Sequence, residues 1–382
     1  MNFEMTDDQV EIQRMVRSFA ESKVAPAQEQ MDRDHKFPAA LWKEWSDLGM
    51  AGIMIPSEYG GSGIDSLTYV IAMEELATVS QTFALIWQVH VLVANMYADL
   101  GTPEQKERWL PIFARGEKLA AFCLTEPGAG SDAGGLRTKA VRDGNEGWII
   151  NGNKIFISNA GTPISDGMVV MATTGDRSDG RKAISCFIVP AATPGFTLGQ
   201  SFTKMAWHGM DNRELVFEDC CVPADNMLGE EGRGLRQALG GLNLGRIVFG
   251  ILGVAMIRAC LEESLSYAKG RSQFGQPLSS FQLTQAKLAD MATHAEAVRS
   301  FVHHVAWLHA QGRPCHKEAA MAKLIGTRLS TQAALDAFQI HGGYGFMHEF
   351  RVNRLHRESK ILEIGEGTNE IQQLLIAREL GC

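Results

Sequence analysis

Residues 281–305 have the sequence FQLTQAKLADMATHAEAVRSFVHHV, in which small or apolar side chains recur at alternating intervals of three and four residues. The members of this seam are Phe281, Thr284, Leu288, Met291, Ala295, Val298, Val302 and Val305. Such spacing packs one face of a helix against neighbouring helices, side by side. Because its residues are small and mixed, the seam predicts a helix buried inside a bundle more than a free coiled coil.

On the N-terminal side of this helix the chain changes character twice. Residues 121–232 carry short β-branched and aromatic runs, separated by turns such as Asn151-Gly152, and predict the strands of a small sheet or barrel. The first third has capping boxes at Thr6–Gln9 and Thr102–Gln105, and its apolar segment Leu67–Leu100 predicts two helices. The predicted fold class is therefore α+β, mostly α. The predicted domains are an N-terminal helical domain (1–120), a β domain (121–232) and a C-terminal helical domain (233–382).

Composition excludes several classes of protein. At 382 residues, with 45% hydrophobic content, the chain is long enough for two or three packed units. Its net charge is −8 and it has no long block of lysines or arginines, which disfavours binding to nucleic acid or to an anionic membrane surface. No uninterrupted apolar run approaches the length of a membrane helix, so no membrane span is expected.

The N-terminal residues, the cysteines and the histidines bear on location and metal binding. The N-terminal stretch is acidic and lacks the features of a signal or transit peptide. The seven cysteines are scattered without C-x-x-C spacing, which fits reduced thiols better than disulfides or a zinc site. His303, His304 and His309 lack the i, i+4 spacing of a metal pair, and no metal site is predicted. We expect a cytoplasmic protein.

Near the C-terminus, Glu366 lies between two glycines in the stretch LEIGEGTNEIQ, residues 362–372. A carboxylate on bare backbone can approach a ligand closely, and the neighbouring backbone N–H groups can donate to the same ligand. The helical spacing after Thr368 places Glu366 at a loop-to-helix junction. The stretch predicts a base beside an oxyanion site, although an ordinary pair of C-cap glycines with a solvated glutamate fits the motif equally well.

Further segments combine small residues with polar ones. The loop TEPGAGSD at 125–132 exposes backbone amides that can cradle a phosphate or a polar ring edge, although a plain interdomain turn is the commoner role of such loops. Phe156 and Ser158 share one strand face and suit a flat ligand, while core packing explains the aromatic side chain as well. The segments 271–275 and 339–345 combine a cation, amides and glycines, as a diphosphate site requires.

Taken together, these segments resemble the acyl-CoA dehydrogenase family of flavoproteins over almost the whole chain. The loop at 125–132, Arg-x-x-Phe-Gly at 271–275, Gln-x-x-Gly-Gly-x-Gly at 339–345 and Glu366-Gly367-Thr368 occur in the family's order and at its spacing. The resemblance implies an N-terminal helical domain, a central small β-barrel and a C-terminal four-helix bundle. It also implies one FAD per subunit of a homotetramer.

The resemblance implies two sets of FAD contacts. The set that binds the subunit's own flavin comprises Phe122, Leu124, Thr125, Gly130, Ser131, Phe156, Ile157 and Ser158. The set that binds the adenine and diphosphate of a neighbouring subunit's FAD comprises Arg271, Gln273, Phe274, Phe281, Gln282, Gln339, Ile340, Gly342 and Gly343. Thr368 and Glu370 would close over the cofactor. Oligomerisation would then be needed for cofactor binding as well as for stability.

The reaction that the resemblance implies is α,β-dehydrogenation of an acyl-CoA thioester to the trans-2-enoyl-CoA. Glu366 would remove the Cα proton, and its backbone N–H and a flavin ribityl hydroxyl would donate to the thioester oxygen. The Cβ hydride would pass to flavin N5, and the electrons would pass to an electron-transfer flavoprotein. A free glutamate, with a pKa of about 4.3, is too weak a base, so burial is expected to raise the pKa of Glu366. Some family members place the base at the position of Gly245, but here the glutamate at 366 is the better choice.

The substrate-binding residues that the resemblance implies are Ser131, Asn243, Arg246, Gly367 and Arg378. Gly365 stands where many straight-chain members have tyrosine, and we expect a wider pocket that accepts branched, long or ring-bearing acyl chains. Helices around residues 82–93 would set the depth of that pocket. A flavin oxidase or monooxygenase on the same scaffold, and a non-catalytic binding protein, are the alternatives.

Overall fold

The computed structural model describes residues 4–144 and 146–382. Helices form both ends of the chain and strands form its middle, so the predicted fold class is confirmed. The helices before the sheet are α1 (Asp7–Phe19), α2 (Ala25–Asp34), α3 (Ala39–Asp47), α4 (Ser66–Val79), α5 (Gln81–Leu100) and α6 (Pro103–Ala114).

The helix starts in this first part follow from local sequence. Thr6 and Thr102 cap α1 and α6, and both predicted capping boxes are confirmed, because in each the hydroxyl and the glutamine three residues later bond reciprocally to the backbone. The segment Leu67–Leu100 forms two helices, as predicted. The break falls at Ser80, whose hydroxyl accepts a hydrogen bond from the backbone N–H of Phe83.

The middle of the chain forms one sheet. Its strands are β1 (Phe122–Cys123), β2 (Lys139–Asp143), β3 (Gly147–Ser158), β4 (Met168–Asp176), β5 (Lys182–Val189), β6 (Phe196–Ser201), β7 (Asn212–Pro223) and β8 (Met227–Leu228). Among the described residues the strand order is β6-β7-β3-β2-β4-β5-β8, and β1 pairs in parallel with β4. The long antiparallel pair of β3 with β7 carries the part of the sheet that matters for the site.

The predicted turn at Asn151-Gly152 is wrong, because β3 continues through both residues. The chain accommodates them as an irregularity in the β3–β7 register between Ile150 and Gly152. A side chain at 152 would begin 2.7 Å from the Cα atom of Thr138, so glycine is required there by the close approach of another backbone. Glycine at 152 is therefore explained by a tertiary contact and not by a turn.

The C-terminal helices form the bundle that holds the site. They are α7 (Gly234–Gly270), α8 (Gln282–Ala310), α9 (His316–His341), α10 (Arg351–Leu362) and α11 (Asn369–Glu379). The hairpin of β9 (Ser272–Gln273) and β10 (Gln276–Pro277) joins α7 to α8. Helices α7 and α9 approach closely at Gly253 and Gly326, where a Cβ atom on Gly253 would lie 2.5 Å from the Gly326 backbone. This contact lets the two helices pack closely inside the bundle.

The predicted seam on α8 is buried over most of its length. Met291, Ala295, Val298, Val302 and Val305 lie in the core, as the spacing predicted. The first turns of the helix leave the core, and Leu283 is 84% exposed there. The bundle therefore has an apolar end that is open to solvent in the single chain.

Two helices, α5 and α7, have the length and apolar composition of a membrane span, although the sequence contains no uninterrupted apolar run of that length. In their most apolar windows, 72% and 89% of the residues are buried inside the protein. Such burial is what core helices show, so their composition is weak support for a membrane span.

The cysteines form no disulfide among the described residues.

Candidate active site

Glu366 lies in the short loop between α10 and α11. Its backbone has φ 54°, and that of Gly367 has φ 85°, so both residues adopt the left-handed conformation. A non-glycine residue in this conformation is held there by its surroundings. The side-chain amide of Gln372 donates to the carbonyl oxygens of Glu366 (3.2 Å) and Gly367 (2.8 Å), and Thr368 caps α11. The loop is therefore fixed from the following helix, which an ordinary solvated C-cap would not require.

The Glu366 carboxylate points at helix α7. A Cβ atom added to Gly245 would lie 2.9 Å from Glu366 Oε2, so only glycine leaves room for the carboxylate there. Gly245 is the alternative position of the base considered above, and the structure brings the two positions together. Burial raises the pKa of Glu366. The positive charges of Arg246 and Lys323, together with the Gln88 amide, offset that rise in part.

Of the predicted substrate-binding residues, the structure brings Asn243, Arg246 and Gly367 to this carboxylate or its loop. Arg246 is buried and its Nη1 donates to Asn243 Oδ1 at 2.9 Å, which orients the guanidinium. Its Nε is buried and has no protein acceptor among the described residues. Arg378 lies exposed in the last turn of α11, about three turns from Glu366.

The space expected beside Gly365 is filled by another side chain. A Cβ atom on Gly365 would lie 2.8 Å from the ring of Phe249, which is buried on α7 one helical turn after Gly245. The missing side chain at 365 therefore does not by itself widen the pocket, because an aromatic ring from α7 occupies that position. The acceptance of branched, long or ring-bearing acyl chains stays a prediction, in which the Phe249 ring has to be included.

The loop 125–132 lies against strand β3. The backbone N–H of Ile155 donates to the Thr125 carbonyl oxygen at 2.9 Å, which joins the two predicted flavin-binding segments. Glu126 and Lys154 form a buried ion pair at 2.7 Å, and Lys154 Nζ also donates to the Leu124 carbonyl oxygen. The ion pair of Glu126 with Lys154 thus holds the loop against β3, while the glycines of the loop and Ser131 are left at the surface.

Phe156 stands out of strand β3 instead of packing in the core. It has φ 58° and lies in the interval between Lys154 and Ile157 where the register with β7 shifts. Asn212 Nδ2 donates to its carbonyl oxygen at 2.9 Å, and the side chain is 60% exposed. Bulges redirect side chains in this way. Ile157 points into the core, so only its backbone is available to a ligand, and Ser158 is half-buried.

The second predicted set of FAD contacts collects at the open end of the bundle. The Arg271 guanidinium lies 5.6 Å from the centre of the Tyr344 ring, which links the α7–α8 hairpin to the glycine segment after α9. A cavity of about 250 Å³ lies between them, lined by Tyr267, Gly270, Arg271, Tyr344 and Phe350. Phe274, at the tip of the hairpin, is 95% exposed with φ 52°. Gln282 is also exposed, while Gln339 and Ile340 lie in the last turn of α9.

These residues fit a bound dinucleotide. Side chains added at Gly128, Gly130, Gly342 or Gly343 would meet no atom within 4 Å, so these segments present bare backbone. The exposed Phe156 ring next to the first pair suits stacking, and the Arg271 cation near the second pair suits a diphosphate. Thr368 and Glu370 lie at the start of α11, beside the Glu366 loop.

Sequence reasoning missed Gln88, Lys323 and Phe249. Each contacts Glu366 or its loop from a helix far away in the chain. Gln88 and Lys323 are polar residues within apolar helical runs, and both are buried. A buried polar residue without a local partner was the signal that could have drawn attention to them.

The chain matches three family models along almost its whole length. They are described as the N-terminal, middle and C-terminal domains of acyl-CoA dehydrogenase, at residues 6–117, 121–220 and 232–381. The chain belongs to the acyl-CoA dehydrogenase family. It is therefore an oxidoreductase, and the enzyme class expected from the motifs is confirmed.

Individual relatives agree with this assignment. The chain is 45% identical over 381 residues to "Probable acyl-CoA dehydrogenase YngJ" of Bacillus subtilis, covering 100% of both chains. The butyryl-CoA dehydrogenase structure from Megasphaera elsdenii is 39% identical with a TM-score of 0.95, again over 100% of both chains. A further chain, 40% identical with a TM-score of 0.95, covers 100% of this chain and 99% of its own length. It comes from a structure described as "Electron transferring flavoprotein of Acidaminococcus fermentans: Towards a mechanism of flavin-based electron bifurcation".

Proposed function

We propose that this acyl-CoA dehydrogenase uses FAD to oxidise an acyl-CoA thioester to the trans-2-enoyl-CoA, with Glu366 as the base that removes the Cα proton. When bound, FAD supplies the acceptor for the hydride that leaves Cβ. The observation that carries the proposal is the Glu366 carboxylate itself, which faces Gly245 of α7 and whose pKa is raised by burial. A raised pKa makes it a better base than free glutamate.

The loop also supports stabilisation of the charge that develops on the thioester oxygen. Among the described residues no protein acceptor takes a hydrogen bond from the Glu366 backbone N–H. That N–H is free to donate to a substrate oxygen beside the base. The Gln372 bonds to the loop carbonyls fix its direction before substrate arrives. The base and the oxyanion donor would then come from one residue.

The proposed FAD site would be shared between subunits of a homotetramer. The loop 125–132 and Phe156 would hold the flavin of their own subunit, and the Arg271 hairpin would reach the FAD of a neighbour. The apolar end of the bundle supports this assembly, because Phe274, Leu283 and Phe346 are 95%, 84% and 72% exposed in the single chain.

We assign an electron-transfer flavoprotein as the proposed partner that accepts the electrons. The supporting observation is the similarity to a chain from the Acidaminococcus structure named above. An oxidase on the same scaffold would instead pass its electrons to oxygen. The acyl chain would lie along α7, and the Phe249 ring would limit its width next to the base.

The test is an anaerobic titration of the purified protein with straight, branched and aromatic acyl-CoAs, followed by exposure to air. The flavin absorbance should bleach with at least one thioester and stay bleached in air until an electron-transfer flavoprotein is added. Rapid return of the yellow form in air would identify an oxidase. A flavin that no thioester bleaches would contradict the proposal.

A further inference from the structure

Lys323 is a fully buried lysine that contacts both ends of the Glu366 loop. Its Nζ donates to the Glu363 carbonyl oxygen at 2.9 Å, just after α10, and to Asn369 Oδ1 at 2.8 Å, at the start of α11. Helices α7 and α9, which carry Gly245 and Lys323, pack closely at Gly253 and Gly326, one turn after Lys323 on α9. Lys323 forms no ion pair among the residues that the structure describes.

Hydrogen bonding alone does not explain a lysine at this position. The Glu363 carbonyl oxygen already accepts the backbone N–H of Asn369 at 2.9 Å. Asn369 Oδ1 already accepts the hydroxyl of Thr327 at 2.9 Å. The Glu363 carbonyl oxygen would thus remain satisfied without Lys323, and Asn369 Oδ1 would keep a hydroxyl within hydrogen-bond distance, whereas burying an ammonium group is costly. Besides linking the two ends of the loop, the lysine adds a positive charge.

The charged groups around Glu366 come from several helices. The charges of Arg246 on α7 and Lys323 on α9 act on the carboxylate, and the amide of Gln88 on α5 also favours its ionised form. Glu363 and Glu370 face Lys323 from the same loop and from α11. Burial lowers the pKa of Lys323 to about 8, so the ammonium form predominates at neutral pH.

We propose that Lys323 is a positioning residue for the base: it ties together the two ends of the loop and holds a positive charge near the Glu366 carboxylate, so that the carboxylate is ionised when substrate arrives. This inference rests on the proposed function of Glu366. Without that charge, the carboxyl group would keep its proton over part of the pH range in which the enzyme works. Substrate binding, which excludes water, would make the difference larger.

The test compares Lys323→Met with Thr327→Val by infrared titration of the Glu366 carboxyl group. The band of the protonated carboxyl is identified as the one that Glu366→Gln lacks, and this readout needs no turnover. Lys323→Met should move the midpoint upward by roughly one pH unit, the low end of the effect of a nearby opposite charge. Thr327→Val removes the hydroxyl that lies within hydrogen-bond distance of the same Asn369 oxygen and of the Lys323 carbonyl oxygen, without removing a charge, and its midpoint should equal that of the unmodified protein.

The flavin-reduction rate should be measured against pH in the same variants. The pH at which this rate falls on the acidic side should move with the infrared midpoint. An unshifted midpoint in Lys323→Met, or an equal shift in Thr327→Val, would overturn the inference. Should Lys323→Met not fold, Asn369→Asp places a carboxylate against the ammonium and should raise the midpoint in the same direction. No change there would also overturn it. A final outcome is that the infrared midpoint shifts as expected in a protein whose flavin is not reduced by any acyl-CoA. That result would contradict the proposed function but would support the electrostatic role of Lys323.

Discussion

Glu74 and Glu366 both lie in the helical parts of the chain, yet their carboxyl groups differ in their pairing. Glu74 on α4 is bonded by Arg258, with 2.6 Å between Nη1 and Oε1, and by Arg299, with 2.9 Å between Nε and Oε1. Glu366 has Arg246 and Lys323 in its surroundings, but among the described residues it forms an ion pair with neither.

The two pKa shifts have opposite directions for this reason. Burial raises the pKa of any carboxyl group. At Glu74 the neighbours His303, Arg299 and Arg258 more than offset burial and lower the pKa to about 2. At Glu366 the neighbours offset it only in part, and the pKa is raised. Direct bonding to guanidinium groups makes a buried glutamate a structural anion, whereas cations at a distance leave it able to accept a proton.

The largest expected effect tests the Glu366 side of this comparison. Glu366→Gln should slow flavin reduction by acyl-CoA about 10²- to 10⁴-fold, the usual contribution of a general base. FAD content and acyl-CoA binding should be retained, because glutamine has the same shape and the Gln372 bonds involve only the loop backbone. Stopped-flow spectroscopy measures the rate. Near-normal reduction in this variant would place the base elsewhere.

The corresponding substitution at Glu74 should affect stability instead. Glu74→Gln leaves Arg258 and Arg299 without their shared carboxylate and should lower the free energy of unfolding by about 3 kcal/mol or more. Chemical denaturation measures this loss. Glu262→Gln is the matched control, because Glu262 lies 3.9 Å from the same Arg258 but is half exposed; it should cost less than about 1 kcal/mol. A Glu74→Gln protein as stable as this control would break the comparison.

Stability should also depend on pH in opposite ways at the two residues. The pKa of Glu74 is lowered, so the contribution of its ionised carboxylate to the free energy of unfolding is complete above pH 4.5. That contribution is lost as the pH falls towards about 2. The shift corresponds to about 3 kcal/mol. The pKa of Glu366 is raised, so its ionisation opposes folding as the pH rises through the shifted value. At neutral pH, Glu366→Gln should therefore be at least as stable as the unmodified protein.

Denaturation of both variants between pH 7 and pH 3 tests these signs. The deficit of Glu74→Gln should shrink as the pH falls below 4.5. Any advantage of Glu366→Gln should disappear over a higher pH range. Parallel curves for the two variants would mean that both carboxyl groups titrate alike, against the difference in pairing described above.

Local signals predicted the fold, and tertiary contacts decided what could not be predicted. The capping boxes at Thr6 and Thr102 were found because a cap depends on residues three apart. The prediction of a turn at Asn151-Gly152 was wrong because glycine is needed there to let the backbone of Thr138, from another segment, approach closely. The Glu366 loop was found from a short motif, but its partners Gln88 and Lys323 come from helices that only packing brings together.

The smallest expected effect concerns Phe249, whose ring lies against the Glu366 loop at Gly365. Phe249→Leu should shift the ratio of flavin-reduction rates for a branched over a straight acyl-CoA by about tenfold, the usual value of a methylene-sized change in a pocket. The reason is that its ring occupies the position of a side chain at Gly365.

Phe301→Leu on α8 is the control for general loosening, because Phe301 is partly buried against the same core. It should leave the ratio unchanged. If both variants shift the ratio equally, substrate width depends on bundle packing as a whole, and Phe249 has no special place beside the base. If only Phe249→Leu shifts it, the aromatic ring on α7 sets the pocket width that the sequence analysis attributed to position 365, and the acyl pocket is shaped by the helix that also faces the carboxylate.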